Sequence, residues 1–460
     1  MRDLIIIGGG PGGYVAAIRA RQLGLSVTLF EREALGGTCL NVGCIPTKAY
    51  YKSAEIMRQT AEASLFGLKI SGDIQFNLLA AKQRKDTVVG QLVGGVQKLL
   101  KAHGVEVIFS TALLEQPGRV VADGEVYEAR NIIIATGSQN KQPPIAGMDN
   151  PRILDSTTIL QLDTVPERLT VVGGGVIGME FAGIFRAFGS TVTVVEAADT
   201  ILAGVDQEIV KRFGLLVKKQ GINVITGALV EKAEASDQGI CLHYRVGTEL
   251  KAIESDYVLM SIGRKPSLEG IDVKQLGIIQ DAYGFLKVDA AMQTNVPGIY
   301  AIGDVIGGYL LAHVASEEGI AAVENIAGHQ AAIVQDLQVP NCIFTFPEIS
   351  SVGLSEEEAK MRDITYRKGK FSYAANGKAM CLGETDGLIK VLADEKNRII
   401  GIHILGAHAS DLILEATVLI QKQVTLEEAA FLIHPHPTLG EILKEAILDV
   451  EKKAIHQISR

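Results

Sequence analysis

LIIIGGGPGGYVAAIRARQLGLSVTLFE, at residues 4–31, is matched later in the chain by LTVVGGGVIGMEFAGIFRAFGSTVTVVE, at residues 169–196. Each stretch begins with an apolar strand, continues through a Gly-x-Gly-x-x-Gly motif into a helical pattern, and closes with a second strand that leads to Glu. One shift aligns seven identical pairs: Gly8 and Gly173, Gly10 and Gly175, Gly13 and Gly178, Gly24 and Gly189, Val27 and Val192, Thr28 and Thr193, Glu31 and Glu196. This spacing is typical of the βαβ unit that binds a dinucleotide.

The repeated motif has a physical reason at each position. The first glycine allows a tight turn, the second lets the backbone approach a pyrophosphate, and the third allows the helix to pack closely. The helix N-terminus then faces the anion, and Glu31 and Glu196 are placed to accept hydrogen bonds from a ribose. One such motif is weak evidence, but two in register with equally placed acids predict two dinucleotide sites.

The redox residues indicate which cofactor belongs to which unit. The first unit leads within eight residues, from Glu31 to Cys39, into a cysteine pair that must touch a flavin to exchange electrons. We therefore assign FAD to the first unit and a nicotinamide dinucleotide to the second. Glu196 would repel a 2′-phosphate, and residues 197–203 contain no Arg to bind one, so NAD is favoured over NADP.

Three further strands end in glycine turns that suit cofactor binding. The segment from Ile132 to Gly137 and the segment from Ile299 to Asp304 resemble the strand ends of flavoproteins, which places Thr136, Gly137 and Asp304 among the candidate FAD residues. Asp304 would accept a hydrogen bond from the ribityl chain, or else form a simple turn. The equivalent strand end of the second unit runs from Val258 to Gly263, and Gly263 is a candidate NAD residue.

The segment GGTCLNVGCIPTK, at residues 36–48, carries the candidate chemistry. Cys39 and Cys44 are five residues apart, which is not a neighbouring spacing on an ideal helix. An irregular helical turn, permitted by the flanking glycines, would bring them within disulfide range. The alternative is two free thiols in a loop, but a position directly after the first dinucleotide motif favours a catalytic redox pair.

The bulk composition limits the function classes. A chain of 460 residues suggests about three domains. A formal net charge of −9 without a basic run argues against a nucleic-acid partner. Apolar runs are too short to span a membrane, so we expect a cytoplasmic protein with no membrane contact. Five cysteines do not form a structural disulfide framework, and no metal site is predicted.

With these motifs in place, the chain resembles the pyridine nucleotide-disulfide oxidoreductases, and within that family the dihydrolipoamide dehydrogenases. The likeness extends over nearly the whole chain, through ATG, GGGVIGME, the Gly-Asp turn and HPHPT. It implies that Cys39 is the thiol that exchanges with substrate and that Cys44 lies against the flavin. It also implies that Thr38 and Lys48 are at the FAD site and that Lys48 pairs with Glu180. Without the family, this lysine and glutamate would be two solvated helix charges.

The segment His434-Pro435-His436-Pro437-Thr438-Leu439-Gly440-Glu441 suits a base. Dithiol oxidation releases protons, which an imidazole with a reference pKa near 6.5 can collect at neutral pH. By resemblance the base is His436, oriented by Glu441, with His434 in support. In the family the second subunit supplies this base, so a homodimer is expected. The alternative is that Thr438 and Glu441 form a capping box at the last helix.

The expected fold is α/β, with two Rossmann-like dinucleotide-binding domains and a C-terminal α+β dimerisation domain. The predicted boundaries are 1–143 (FAD), 144–265 (NAD), 266–335 (central, completing the FAD site) and 336–460 (interface). The implied substrate is a dihydrolipoyl group of an acyltransferase or lipoyl carrier protein. A glutathione reductase-like enzyme and a non-catalytic flavoprotein scaffold remain alternatives, whereas mercuric reductase would carry a C-terminal cysteine pair that is absent from this sequence.

Overall fold

The computed structural model describes residues 1–329 and 336–458, so the end of the predicted central segment, at 330–335, lies outside them. The first part of the chain follows the predicted strand–helix alternation. Its elements are β1 (Arg2–Ile7), α1 (Pro11–Gln22), β2 (Val27–Glu31), α2 (Gly37–Asn41), α3 (Cys44–Ala61), α4 (Leu78–Ala102), β3 (Glu106–Phe109), β4 (Leu113–Gln116), β5 (Arg119–Ala122) and β6 (Glu125–Ile134).

The middle part repeats this alternation and inserts an antiparallel sheet. Its elements are β7 (Ser138–Asn140), β8 (Ile153–Leu154), β9 (Arg168–Val172), α5 (Val176–Phe188), β10 (Thr191–Val195), α6 (Gln207–Lys219), β11 (Asn223–Ile225), β12 (Ala228–Ser236), β13 (Gly239–Val246), β14 (Glu249–Ser255), β15 (Tyr257–Met260), β16 (Arg264–Pro266) and α7 (Val273–Leu276).

The last part returns to the first sheet and then builds a separate one. Its elements are β17 (Ile299–Ala301), α8 (Ala312–Ile326), β18 (Asn341–Ile343), β19 (Glu348–Gly353), α9 (Glu356–Met361), β20 (Tyr366–Ser372), α10 (Gly377–Leu382), β21 (Leu388–Asp394), β22 (Ile399–Gly406), α11 (Ala409–Gln421), α12 (Leu426–Ala430) and α13 (Glu441–Asp449).

Five sheets organise these strands. The first has the order β3-β2-β1-β6-β5-β4, and β17 also pairs with β6. The second, β11-β10-β9-β15-β8, is parallel throughout. A three-stranded sheet (β12-β13-β14) and a two-stranded sheet (β16-β7) join these units, and the C-terminal sheet is antiparallel in the order β18-β19-β22-β21-β20. The predicted α/β class, with two dinucleotide-type sheets and a C-terminal α+β unit, is confirmed.

The internal repeat extends to the strand register. Leu4 of β1 pairs with Val27 of β2, and Leu169 of β9 pairs with Val192 of β10, at the same shift that aligns the glycine motifs. β-branched and aliphatic residues fill these strands because helices cover both faces of a parallel sheet. The repeated sequence therefore produces two equivalent scaffolds.

The tight turns need glycine for a steric reason. Gly8 and Gly173 have φ values of +108° and +102°, a region that L side chains rarely adopt. A Cβ at Gly13 would lie 1.9 Å from the Gly8 carbonyl oxygen, and one at Gly178 would lie 2.0 Å from the Gly173 oxygen. Both helices can therefore approach their strands only without these side chains.

The second unit joins the C-terminal unit through a buried charge cluster. The Lys390 side chain is 1% exposed, and its Nζ lies 2.9 and 2.8 Å from the carboxylate oxygens of Asp206 at the start of α6. It also contacts Glu208 and Glu356. Burial raises the pKa of Glu356, but hydrogen bonds from Lys390, Tyr366 and Lys368 outweigh it and lower that pKa to about 2. The carboxylates around Lys390 are therefore held as anions.

None of the helices within residues 1–329 and 336–458 combines the length and hydrophobicity needed to cross a bilayer.

We expect Lys390→Ala to lower the free energy of unfolding by about 3–5 kcal/mol, because it leaves buried carboxylates without their cation. The measurement is urea unfolding followed by circular dichroism. Lys219→Ala is the control, because the Lys219–Asp386 ion pair joins the same two units but is exposed, and its loss should cost less than about 1 kcal/mol. Equal effects of the two substitutions would contradict the assignment.

Candidate functional site

One large cavity, with a volume of about 980 Å³, lies between the two dinucleotide-type units. Most residues selected from the sequence line it, in agreement with a shared site. They are Gly8, Gly10, Glu31, Thr38, Cys39, Cys44, Lys48, Thr136, Gly137, Gly173, Gly175, Glu180, Glu196, Gly263 and Asp304. Gly13 and Gly178 lie beneath the turns instead, and His436 and Glu441 are outside the lining. The fold thus brings the cysteine segment and both glycine motifs to the same space.

The two predicted ribose acids make equivalent contacts in the two units. Glu31 accepts hydrogen bonds from the backbone N–H groups of Gly9 (2.8 Å) and Glu33 (2.8 Å). Glu196 accepts them from Gly174 (2.5 Å) and Ala198 (2.6 Å). Each carboxylate therefore stabilises its own glycine turn by hydrogen bonds while it lines the cavity.

The glycine turns have the donor set and the space that a dinucleotide requires. α1 and α5 begin after Gly10 and Gly175, and no side chain caps either N-terminus. A Cβ at Gly175 would meet no atom within 4 Å, and one at Gly10 would come no closer than 3.9 Å to another residue. Uncapped backbone N–H groups at open helix N-termini bind phosphate groups. Both turns therefore fit a dinucleotide pyrophosphate.

The cysteine pair lies at a break between two helices. α2 contains Cys39 and ends at Asn41, and α3 begins at Cys44, which is the irregular turn that the spacing predicts. The break depends on Gly43, where a Cβ would lie 2.9 Å from the Thr38 carbonyl oxygen. Cys44 therefore occupies the first turn of an 18-residue helix, whose N-terminus favours a thiolate.

The two thiols have different pKa values because they share a hydrogen bond. The Cys39 thiol donates to the Cys44 sulfur, and this bond, helped by the Lys48 charge, outweighs burial and lowers the pKa of Cys44 to about 7. The same bond, together with burial, raises the pKa of Cys39 well above its ordinary value. In the reduced pair the thiolate therefore forms first on Cys44, at near-neutral pH, while Cys39 keeps its proton.

Lys48 and Glu180 form an ion pair at the side of the cavity. Lys48 Nζ lies 3.0 and 2.9 Å from the two Glu180 oxygens, and the Glu180 side chain is 6% exposed. Glu180 also accepts the Phe344 N–H at 3.0 Å, and Lys48 lies 4.4 Å from the centre of the Phe344 ring. These contacts hold the ammonium group close enough to Cys44 for its charge to lower the pKa of that thiol.

Arg264, which the sequence analysis did not select, lines the cavity together with Asp304. The Ser138 hydroxyl donates to Asp304 Oδ2 at 2.5 Å, and Arg264 Nε donates to the Ser138 oxygen at 2.7 Å. Thr136, by contrast, uses its hydroxyl to bond the Ser267 carbonyl at 2.6 Å. Asp304 is therefore more than a simple turn residue. The position of Arg264 directly after Gly263, a candidate cofactor residue, is a sequence feature from which it could have been selected.

Cys342, which the sequence analysis did not select, also lines the cavity. Burial, followed by the charge of Glu348, raises its pKa to about 11. Cys342 is therefore a protonated thiol at neutral pH, unlike Cys44.

The histidine segment lies apart from this cavity. His436 Nδ1 is 2.9 Å from Glu441 Oε1, and the His436 side chain is 78% exposed. His434 instead pairs with Glu415 at 2.9 Å. Only half of the alternative capping box is present: Glu441 Oε2 accepts the Thr438 N–H at 2.9 Å, but the Thr438 hydroxyl donates to the Pro435 carbonyl, and α13 begins at Glu441 with Gly440 as its N-cap. The other carboxylate oxygen, Oε1, contacts His436, so Glu441 bonds Thr438 and His436 at the same time.

Comparisons with protein families and known proteins agree along the whole chain. A family model described as pyridine nucleotide-disulphide oxidoreductase matches residues 2–319, and its dimerisation-domain model matches residues 339–447. A dihydrolipoyl dehydrogenase of Bacillus subtilis is 42% identical over 470 residues, covering 99% of both chains. Mitochondrial dihydrolipoyl dehydrogenase 1 of Arabidopsis thaliana is 41% identical over 464 residues, covering 99% of this chain and 91% of that one.

Solved structures are similar over the same range. The crystal structure of LpdA from Mycobacterium tuberculosis has a TM-score of 0.90 and 27% identity, and covers 97% of this chain and 99% of that one. The HOCl-induced flavoprotein disulfide reductase RclA from Escherichia coli has a TM-score of 0.87 and 28% identity with the same coverage.

We expect Cys39→Ala to raise the pKa of Cys44 above about 7, because the hydrogen-bond donor is lost. Only the thiolate reacts, so iodoacetamide alkylation of Cys44 in the reduced protein at pH 7 should slow about threefold to tenfold. Peptide mass spectrometry measures that rate. Cys342→Ala is the control, since it removes a thiol from the same cavity without removing this bond. An unchanged rate in Cys39→Ala would contradict the thiol–thiolate pairing.

Proposed function

The chain belongs to the pyridine nucleotide-disulphide oxidoreductase family, and from that premise we propose that it is a dihydrolipoyl dehydrogenase. It oxidises a dihydrolipoyl dithiol by exchange with Cys39 and Cys44, and the electrons pass through FAD to NAD⁺. The observation that carries the proposal is the cysteine pair, placed at a helix N-terminus in the cavity that both dinucleotide turns line. When bound, FAD and NAD⁺ supply the electron acceptors for this chemistry.

The cysteines perform two thiol–disulfide exchanges. A substrate thiolate attacks the Cys39 sulfur of the Cys39–Cys44 disulfide, and Cys44 leaves as a thiolate. Its lowered pKa makes Cys44 a good leaving group. The second substrate thiol, after losing its proton, attacks the mixed disulfide, so that the substrate departs as a cyclic disulfide and Cys39 departs with a proton. One dithiol is oxidised and one protein disulfide is reduced.

His436 is the proposed base for these proton transfers. Glu441 holds its Nδ1 atom, which leaves Nε2 directed away from the carboxylate to accept a proton. His436 does not line the cavity of its own chain, so we propose that it serves Cys39 of a second subunit. The match of residues 339–447 to a dimerisation domain supports a homodimer.

Two units of the chain would hold the two cofactors. The turn at Gly8 and Gly10 with Glu31 would bind FAD, with Thr38, Thr136, Gly137 and Asp304 around it. The turn at Gly173 and Gly175 with Glu196 and Gly263 would bind NAD⁺. The carboxylate of Glu196 at this turn disfavours a 2′-phosphate, which argues against a glutathione reductase-like use of NADPH.

Several finer assignments belong to the same proposal. The dithiol is carried on an acyltransferase or a lipoyl carrier protein, and the enzyme works in the cytoplasm. We also divide the chain at residues 143, 265 and 335, and the pairing of β17 with β6 and the packing of α8 on α1 support a central segment that completes the first unit.

Purified protein should reduce NAD⁺ with dihydrolipoamide, and should show little oxidation of NADPH by glutathione disulfide. The absorbance of NADH at 340 nm measures the first reaction and the loss of NADPH the second. Cys39→Ser is the control: it should lack dihydrolipoamide turnover, yet keep a flavin that NADH reduces, because only the exchange thiol is missing. Preference for glutathione disulfide with NADPH would reject the proposal, and absence of all turnover would favour a scaffold.

We expect His436→Gln to reduce kcat/KM for dihydrolipoamide by about 10²- to 10⁴-fold at pH 7, because substrate thiols lose their proton acceptor. The loss should shrink as pH rises towards the thiol pKa of about 8.5, where substrate thiolate forms without a base. Steady-state rates between pH 6 and 9 measure both effects. His408→Gln, at an exposed histidine paired with Asp411, should leave the profile unchanged. A pH-independent defect in His436→Gln would argue for a structural role.

A further inference from the structure

Arg264 has an unusual position between the two dinucleotide-type units. It is the first residue of β16, which pairs with β7 so that Arg264 lies opposite Asn140 and Pro266 opposite Ser138. β7 follows the strand end at Gly137, and β16 follows the strand end at Gly263. The Arg264 side chain thus lines the cavity where the two-stranded β7–β16 sheet connects the two dinucleotide-type units.

The guanidinium group is fixed by three hydrogen bonds. Nε donates to the Ser138 hydroxyl oxygen, Nη2 donates to the Ser138 carbonyl, and Nη1 donates to Asn140 Oδ1, each at 2.7 Å. The side chain is only 14% exposed. A planar group with its nitrogens bonded in this way cannot rotate. Arg264 therefore presents a stationary buried positive charge.

The bond directions define a relay from Arg264 to Asp304. An arginine nitrogen can only donate, so the Ser138 oxygen must accept from Nε and give its single proton to Asp304 Oδ2. Arg264 Nε itself lies 3.9 Å from the same Oδ2 atom. Ser138 therefore orients the Asp304 carboxylate, and Arg264 orients Ser138.

The charge of Arg264 is directed at negative groups of the cavity. Burial lowers the pKa of its guanidinium, while the charges of Asp304, Asp155 and Cys44 act in the opposite direction. Lys48, the cation whose charge lowers the pKa of Cys44, is already paired with Glu180 at 2.9 Å. Removal of Arg264 would leave the Asp304 carboxylate without its neighbouring cation, so the cavity would become less favourable to further negative charge.

We propose that Arg264 is a positioning residue of this site: it fixes Asp304 through Ser138, and its buried charge stabilises the negative charge that accompanies reduction, on the Cys44 thiolate and at the flavin site. The inference rests on the proposed function insofar as FAD occupies the first unit. It adds two residues, Arg264 and Ser138, to the machinery that the motifs identify.

The test uses FAD-loaded protein carrying Cys39→Ser, in which the Cys39–Cys44 disulfide cannot form and the hydroxyl introduced at position 39 can still donate to Cys44. Arg264→Gln in this background should shift the flavin midpoint potential to a more negative value. It should also slow iodoacetamide alkylation of Cys44 at pH 6 about threefold, the change expected for a rise of about half a pKa unit. Arg152→Gln, at an exposed arginine that does not line the cavity, is the matched control and should change neither quantity.

Two further variants separate position from charge. Ser138→Ala keeps the cation and breaks the relay, so it should weaken FAD binding to the apoprotein roughly three- to tenfold, the value of one hydrogen bond, and leave the potential near that of the background. Arg264→Lys keeps the positive charge but loses the planar guanidinium that bonds Ser138 and Asn140, so it should behave like Ser138→Ala. If Arg264→Gln does not fold, the FAD affinity of Arg264→Lys still decides whether Arg264 positions Asp304. Unchanged FAD affinity in Arg264→Lys and Ser138→Ala, or an unchanged potential in Arg264→Gln, would overturn the proposal.

These readouts do not depend on turnover. A wild-type protein that binds FAD but fails to oxidise dihydrolipoamide would defeat the proposed function, while the potential and the Cys44 reactivity would still test the role of Arg264.

Discussion

In the reduced protein, the hydrogen bond between the Cys39 and Cys44 side chains is the interaction on which the site depends. It lowers the pKa of Cys44 and raises that of Cys39, so the two sulfurs are chemically distinct once substrate has opened the disulfide. The bond needs a helix to stop and another to start between the sulfurs, and Gly43 permits that break because a Cβ there would collide with the Thr38 carbonyl. The backbone geometry of this short segment therefore brings the two sulfurs together as a pair with different pKa values.

The two parallel units show how one scaffold supports two tasks. Both hold a glutamate against the backbone of a glycine turn, and both use the same register between the first two strands. They differ in the segment after the second strand: the first unit continues into the cysteine segment, and the second into residues 197–203. The scaffold supplies a dinucleotide turn in each case, and the segment after it determines whether thiol chemistry takes place beside that turn.

Two cations of the cavity, Lys48 and Arg264, each have a carboxylate within 4 Å. Lys48 is paired with Glu180, and Arg264 is held by Ser138 and Asn140 with Asp304 close by, so both of these cavity cations have fixed positions. Farther away, Lys390 binds Asp206 and joins the second unit to the C-terminal unit. A fixed cation stabilises a thiolate without rearrangement, because its position is determined before the charge forms. The buried joint at Lys390 keeps the second unit in place against the C-terminal sheet.

The sequence alone determined the two dinucleotide-type units and the cysteine segment, and it predicted the cofactor order, because glycine spacing, strand periodicity and a Cys-x4-Cys segment report local backbone geometry. The assignments of Lys48 with Glu180 and of His436 with Glu441 came from family resemblance, and the structure places each pair in contact. Only the tertiary structure brought Ser138, Arg264 and Asp304 together and put Cys342 in the cavity. Ser138 lies more than a hundred positions from both of its partners in the chain, and no local pattern encodes a contact that arises from the packing of distant strands.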